Sequence, residues 1–161
     1  YTHGAIWSVF ALAELGEAKS AYNLFSMINP VNHARTLGEA ERYRVEPYAV
    51  AADVYSVAPH TGMGGWTWYT GSAGWLYRAG LEAILGVRKE GALLKIKPSL
   101  PPDWPQCEVE YRFGATVHQI RMVTNPAAAP DGIEAVSRSE NGEFEIALED
   151  TGGVRVFVLV V

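Results

Sequence analysis

The stretch from His60 to Trp75, HTGMGGWTWYTGSAGW, gathers the residue types that handle anions and sugars. Gly62, Gly64, Gly65 and Gly71 leave the backbone free to turn, and Trp66, Trp68, Tyr69 and Trp75 offer apolar faces for a sugar ring. Apolar residues then recur at helical spacing: Trp75-Leu76, Ala79-Gly80, Ala83-Ile84. Thr70-Gly71-Ser72 therefore sits where a glycine-rich loop enters a helix. Unpaired backbone N–H groups, the positive end of the helix dipole and a hydroxyl cap make such a junction an anion site. Phosphate meeting carbohydrate is the chemistry this combination suits. The same residues also read as a plainly capped helix behind a packed corner, because Thr is a common N-cap. No lysine follows the glycines and no GxGxxG follows a strand, so this is not a nucleotide-phosphate loop.

Elements on either side must position these groups. Ile6, Val9, Phe10 and Ala13 predict a helix to Leu15, stopped at Gly16. A second is expected from Glu17 to Ile28, ended by Pro30 and antiparallel to the first. Asn29–His33 reads as a turn-rich loop. Thr36 to Tyr43 reads as a short polar helix, with Thr36 and Glu39 as its capping box. Glu46-Pro47 opens a predicted helix through Tyr55, and the last helix runs from Ser72 to Leu85, ending at Gly86. Both of these are rich in small residues, as helices enclosed on two sides are. Arg78 and Glu82 are spaced to pair.

After Gly86 the pattern changes. Six runs read as strands: 93–97, 108–113, 116–122, 133–137, 144–148 and 154–161. Turn signals separate them, including Pro101-Pro102, Pro130-Asp131-Gly132, Asn141-Gly142 and Gly152-Gly153; Ala127-Ala128-Ala129 is a small loop. The fold class is thus mainly α plus β, with helices over 1–87 and an antiparallel β-sandwich module over 88–161.

Composition narrows the function. The chain has 161 residues, is 48% hydrophobic and carries a net charge of −5. Its cations form no cluster, so nucleic acid is not an expected partner. Cys107 has no second cysteine to pair with and reads as a packing residue. His33 and His60 lack partners at ligand spacing, so no metal site is expected. No apolar run has transmembrane length. Because the chain starts at Tyr1 with His3 already at the edge of a helical pattern, it is expected to be a soluble piece of a longer polypeptide.

Four blocks in order carry a resemblance: YTHGAIWSVFALAELG, NPVNHA, RVEPYAVAADVYS and GGWTWYTGSAGWLYRAGLEAILG. They resemble the inverting glycoside phosphorylases of glycoside hydrolase family 94, which include cellobiose and chitobiose phosphorylases. The likeness is greatest to the C-terminal region of cyclic β-1,2-glucan synthases, and it fades in the last strands. It implies the C-terminal part of an (α/α)6 barrel followed by a β-sandwich. It also implies phosphorolysis, with inorganic phosphate as co-substrate, no further cofactor, and a β-linked glucan or glucose disaccharide as substrate.

By that resemblance the phosphate is held at His3, Thr70 and Gly71. The family's general acid and phosphate-binding arginine fall in blocks upstream of Tyr1, so no catalytic residue is expected here and the chain alone is expected not to turn over substrate. Glu46 reads either as a dipole-favoured carboxylate at a helix start or as a ligand for a sugar hydroxyl. Trp66 and Trp68 are candidate walls of sugar subsites, with at least one of them expected in the core. Tyr48 and Tyr55 are expected to pack; Asp53, Trp104 and His118 are given no role. The upstream part of the parent chain is an expected partner, and exposed helix faces suggest self-association. The parent is expected at the bacterial inner membrane or in the cytoplasm. The alternative reading is a noncatalytic carbohydrate-binding module that holds a glucan on the aromatic stretch without phosphate.

Overall fold

The computed structural model describes residues 1–125, 134–136 and 138–161. It is a mixed α and β structure that divides into two compact units, Tyr1–Ile84 and Leu85–Val161. The first unit holds α1 (Thr2–Glu14), α2 (Ala18–Ile28), a 3-10 turn (Pro30–His33), α3 (Leu37–Tyr43) and α4 (Thr70–Arg78), which continues as a π-turn over Ala79–Ile84. Gly16 ends α1 at φ 78°, where its N–H bonds Ala13 O and the next N–H, of Glu17, bonds Leu12 O. This left-handed stop satisfies the last carbonyls of the helix, and glycine is the residue that adopts it without strain. At α3 the capping box is complete: Thr36 accepts from the Glu39 N–H while the Glu39 carboxylate accepts from the Thr36 N–H. α1 packs against α2, α4 and the π-turn. Its buried Ile6 and Val9 meet Ala21, Val50, Leu76, Ala79, Ala83 and Ile84 in one core.

The helix expected from Glu46 to Tyr55 does not form. Ala49, Val50, Ala51 and Ala52 are buried in succession rather than on one helical face. The backbone that follows is extended and pairs with the glycine-rich stretch. Ala52 N–H donates to Trp66 O at 2.6 Å, Gly65 N–H to Asp53 O at 2.9 Å, and Tyr55 N–H to Met63 O at 2.9 Å. Alanine's helix propensity is worth only tenths of a kcal/mol per residue against most neighbours, roughly, and these tertiary hydrogen bonds override it. Gly65 makes the approach possible, because a Cβ there would overlap the Asp53 carboxylate. α4 also departs from expectation. It buries Ser72 and Leu76 but leaves Ala73, Gly74, Tyr77 and Arg78 exposed, so it is covered on one side only.

Among its described residues the second unit holds seven strands: β1 (Val87–Glu90), β2 (Leu93–Ile96), β3 (Gln106–Phe113), β4 (Thr116–Val123), β5 (Glu134–Ala135), β6 (Phe144–Ala147) and β7 (Gly153–Val160). β1 is not among the predicted strands. Its run Arg88-Lys89-Glu90 hides it, although Gly91, at φ 60°, marks the two-residue turn into β2. Of the predicted strand 133–137, Ile133 and Ser137 lie outside the described residues, as do the Pro130-Asp131-Gly132 turn and the Ala127–Ala129 loop.

One sheet runs β1-β2-β6 and is antiparallel throughout; the other runs β3-β4-β7-β5. The second sheet corrects the expectation of a purely antiparallel module, since β7 lies parallel to both β4 and β5. Side-chain alternation shows which face of a strand is buried but carries no information about its direction. One buried cluster draws on both sheets: Leu94, Ile96, Phe144 and Ile146 from the first, Ile120, Met122, Phe157 and Leu159 from the second. His118 is fully buried and stacks on Phe157, with ring centroids 6.0 Å apart.

Candidate functional site

α1 and α4 bring two of the predicted phosphate residues into contact. His3 stands in the first turn of α1 and Gly71 in the first turn of α4. The imidazole Cε1 and Nδ1 lie 3.6 and 3.7 Å from where a Gly71 side chain would begin. Glycine thus lets the ring rest against the start of α4, where N–H groups have no partner within the helix. His3 Nε2 is buried and makes no hydrogen bond. The ring meets Trp7 edge-on at 5.1 Å and lies 6.1 Å from Trp75, so its orientation is set by packing.

Thr70 is not the helix cap that sequence suggests. Tyr69 occupies the N-cap position, without a side-chain hydrogen bond to the helix, and Thr70 is the first helical residue. The Thr70 hydroxyl is therefore not committed to capping. Thr70 and Gly71, with Gly74, Trp75, Tyr77 and Arg78, line an open depression of about 440 Å³. Arg78 pairs with Glu82 through two hydrogen bonds, at 2.9 and 2.7 Å, and its guanidinium lies 4.7 Å over the Trp75 ring. Tyr77 and Gly74 were not singled out in the sequence; Gly74 lies four residues from Thr70 and three from Gly71, and Tyr77 follows it by three more and Thr70 by seven, along one face of α4.

A second group forms around Glu46. The Trp68 indole N–H donates to Glu46 Oε1 at 3.2 Å, and the Tyr48 ring meets Trp68 edge-on at 6.2 Å. The Glu46 carboxyl is held below its ordinary range, first by its own backbone N–H and then by the Trp68 indole, with a further contribution from the Thr67 hydroxyl. Because the predicted helix is absent here, Glu46 owes nothing to a helix dipole. Trp66 and Trp68 are 75% and 67% exposed, so the expectation that one of them packs in the core is overturned. Trp66 belongs to the stretch whose backbone is tied to the 52–55 segment, and Trp68 follows it. Tyr48 and Tyr55, expected to pack, are also exposed.

The two other unit-one histidines have local partners. His33 Nε2 lies 2.6 Å from Met27 O and its ring stacks on Tyr43, while the ring of His60 lies 5.8 Å from that of Tyr55. Among the described residues no group of three or more His, Cys, Asp or Glu side chains converges on a point.

A loop of exposed indoles beside a histidine-backed helix start is the arrangement on which comparison with known proteins bears. Residues 1–86 match the catalytic domain of the glycosyl hydrolase 94 superfamily. This chain belongs to that family. It is 50% identical, over 139 residues, to a cyclic β-(1,2)-glucan synthase of Rhizobium meliloti (strain 1021), a match covering 86% of this chain and 5% of the relative. A solabiose phosphorylase of Paenibacillus borealis is 30% identical over 68% of this chain and 14% of its own length. An N,N'-diacetylchitobiose phosphorylase of Vibrio proteolyticus is 30% identical over 85% of this chain and 17% of its own. The chain therefore spans less than a fifth of each of these relatives. Among the described residues of this glycosyl hydrolase 94 chain, no helix is long and apolar enough to cross a membrane.

Proposed function

We propose that this chain supplies the phosphate-side wall of an inverting phosphorolysis site in a β-glucan-processing enzyme. The observation that carries the reading is the contact of His3 with Gly71 at the start of α4. An anion seated there would receive backbone N–H groups from the helix start, the Thr70 hydroxyl and an imidazole N–H. In the reaction, a phosphate oxygen attacks the anomeric carbon of a β-linked glucose unit as the glycosidic C–O bond breaks, and a carboxylic acid outside this chain protonates the departing oxygen. Positioned acid catalysis is worth roughly two to four orders of magnitude, so the chain by itself does not turn over substrate. Glu46, Trp66 and Trp68 contact the sugar.

In this reading the helices over 1–87 are the C-terminal part of an (α/α)6 barrel, and 88–161 is a β-sandwich. The exposed side of α4 and the core shared by the two sheets support that assignment. The upstream part of the parent chain, or a second copy of this one, covers the exposed helix faces.

Calorimetric titration with inorganic phosphate tests the site. Saturable binding that is lost in His3→Ala and weakened in Thr70→Val is expected. Binding that survives both substitutions would remove the anion site from α4. The exposure of Trp66 and Trp68 favours a second reading, a noncatalytic carbohydrate-binding module. Glucan affinity that is the same with and without phosphate, in a chain that binds no phosphate, would select it.

A further inference from the structure

Trp68 is a non-glycine residue at φ 64°. A bulky side chain is strained in this left-handed region, and such strain persists only where the surroundings impose it. Burial does not impose it here, since two-thirds of Trp68 is exposed. What the strained turn achieves is contact: it returns the indole to the 46–48 segment, where its N–H meets Glu46 Oε1 and its ring meets Tyr48.

We propose that Trp68 is the positioning residue for Glu46: its indole N–H ties down one carboxylate oxygen so that the remaining lone pairs face adjacent hydroxyls of a β-linked glucose unit. The inference rests on the sugar-site reading of Glu46 given above. An ionised carboxylate accepts hydrogen bonds and donates none, so a fixed carboxylate takes O–H groups from one direction only. Hydrogen bonds to a charged acceptor are about twice as strong as neutral ones, so orienting Glu46 governs affinity. The three groups that lower the Glu46 carboxyl are all hydrogen-bond donors: its own backbone N–H, the Trp68 indole and the Thr67 side chain. Tyr48 braces the indole from the side and becomes part of the site rather than of the core.

The test uses this chain with a β-1,2-linked glucose disaccharide as probe. Trp68→Phe keeps the aromatic ring and the backbone strain but removes the N–H. In this variant the NMR titration midpoint of the Glu46 carboxyl is expected to rise toward that of an ordinary glutamate, and disaccharide affinity to fall about tenfold, the effect of one lost hydrogen bond to a charged group. Trp68→His retains a ring N–H and suits a positive φ, so it is expected to restore a low midpoint if Trp68→Phe loses its fold. In a Glu46→Gln background, Trp68→Phe is expected to cost no further affinity. An unchanged Glu46 midpoint in a folded Trp68→Phe protein overturns the proposal. So does an affinity loss of the same size in the Glu46→Gln background, because the indole then acts on its own. If the wild type binds no disaccharide while the midpoint still shifts, the sugar-site reading fails and the action of Trp68 on Glu46 stands.

Discussion

The two units spend their apolar side chains differently. The β unit buries large ones: Leu94, Ile96, Ile120, Met122 and Leu159 are at most 1% exposed. Its exposed large apolar residues, among those described, are the valines Val154, Val156 and Val160 on one strand. The helical unit mixes Ala21, Ala79 and Ala83 with Ile6, Val9, Val50, Leu76 and Ile84 in its core, and it leaves Tyr1, Trp7, Tyr48, Trp66, Trp68 and Tyr77 largely in solvent. Soluble proteins normally put aromatic rings inside, so an exposed set of them marks a surface built for contact. The β unit thus concentrates large buried side chains, and the helical unit exposes aromatic ones.

The largest effect should come from testing that contrast directly. Leu94→Ala is expected to destabilise the β unit by about 3 kcal/mol, the usual loss for emptying a fully buried leucine site. Tyr77→Ala, at a residue 70% exposed, should stay within about 0.5 kcal/mol. Denaturant unfolding measures both. A large loss for Tyr77→Ala would mean that this face of α4 is covered in solution, and the contrast would break.

A smaller effect is expected at the pairing between the two loops. Gly65→Ala forces a methyl into the Asp53 carboxylate and should cost about 1–3 kcal/mol, as overpacking does. Loss of amide protection at Ala52 and Tyr55, measured by hydrogen exchange, would locate the damage. Unchanged protection would show that the 52–55 ladder does not depend on that close approach.

The smallest effect compares an exposed carboxylate from each unit. Glu90 is held below its ordinary value of 4.5 first by its hydrogen bond to Lys95, whose ammonium lies at 2.8 Å, and Glu46 is held low by hydrogen bonds alone. A lowered folded-state value means that each contributes stability above about pH 4.5 and loses it as pH falls through the lowered value. Lys95 is raised by the same partner, so its contribution is present at neutral pH and lost as pH rises through its folded-state value. Stability measured against pH in Glu46→Gln and Glu90→Gln should show both acid losses removed. Added salt should weaken the Glu90 contribution and leave that of Glu46 nearly unchanged, because only the first is an ion pair. Equal salt sensitivity would erase the distinction.

Much of the architecture was legible because it is written in local signals. Gly16, the Thr36–Glu39 box, the apolar spacing of α1 and α2, and the alternation in β3 each act within a few residues of one another. The motif blocks likewise carried the family assignment. The failures share one cause. Glu46–Tyr55 looks helical by composition, yet its backbone groups are claimed by Trp66, Gly65 and Met63. Strand β1 is mostly charged, and it pairs because Gly91 turns the chain back onto β2. Thr70 looks like a cap, yet Tyr69 takes that position, directly after the left-handed Trp68.

The sequence by itself determined that helices precede strands along the chain, which strand faces are apolar, and which family the chain belongs to. These depend on periodicity, turn residues and motif order, all short-range along the chain. Only the tertiary structure decided that His3 meets Gly71, that Trp68 meets Glu46, that β7 runs parallel to β4, and that Trp66 and Trp68 face solvent. Each of these joins residues far apart in sequence, and no local pattern records which distant group will satisfy a buried N–H or cover an apolar face.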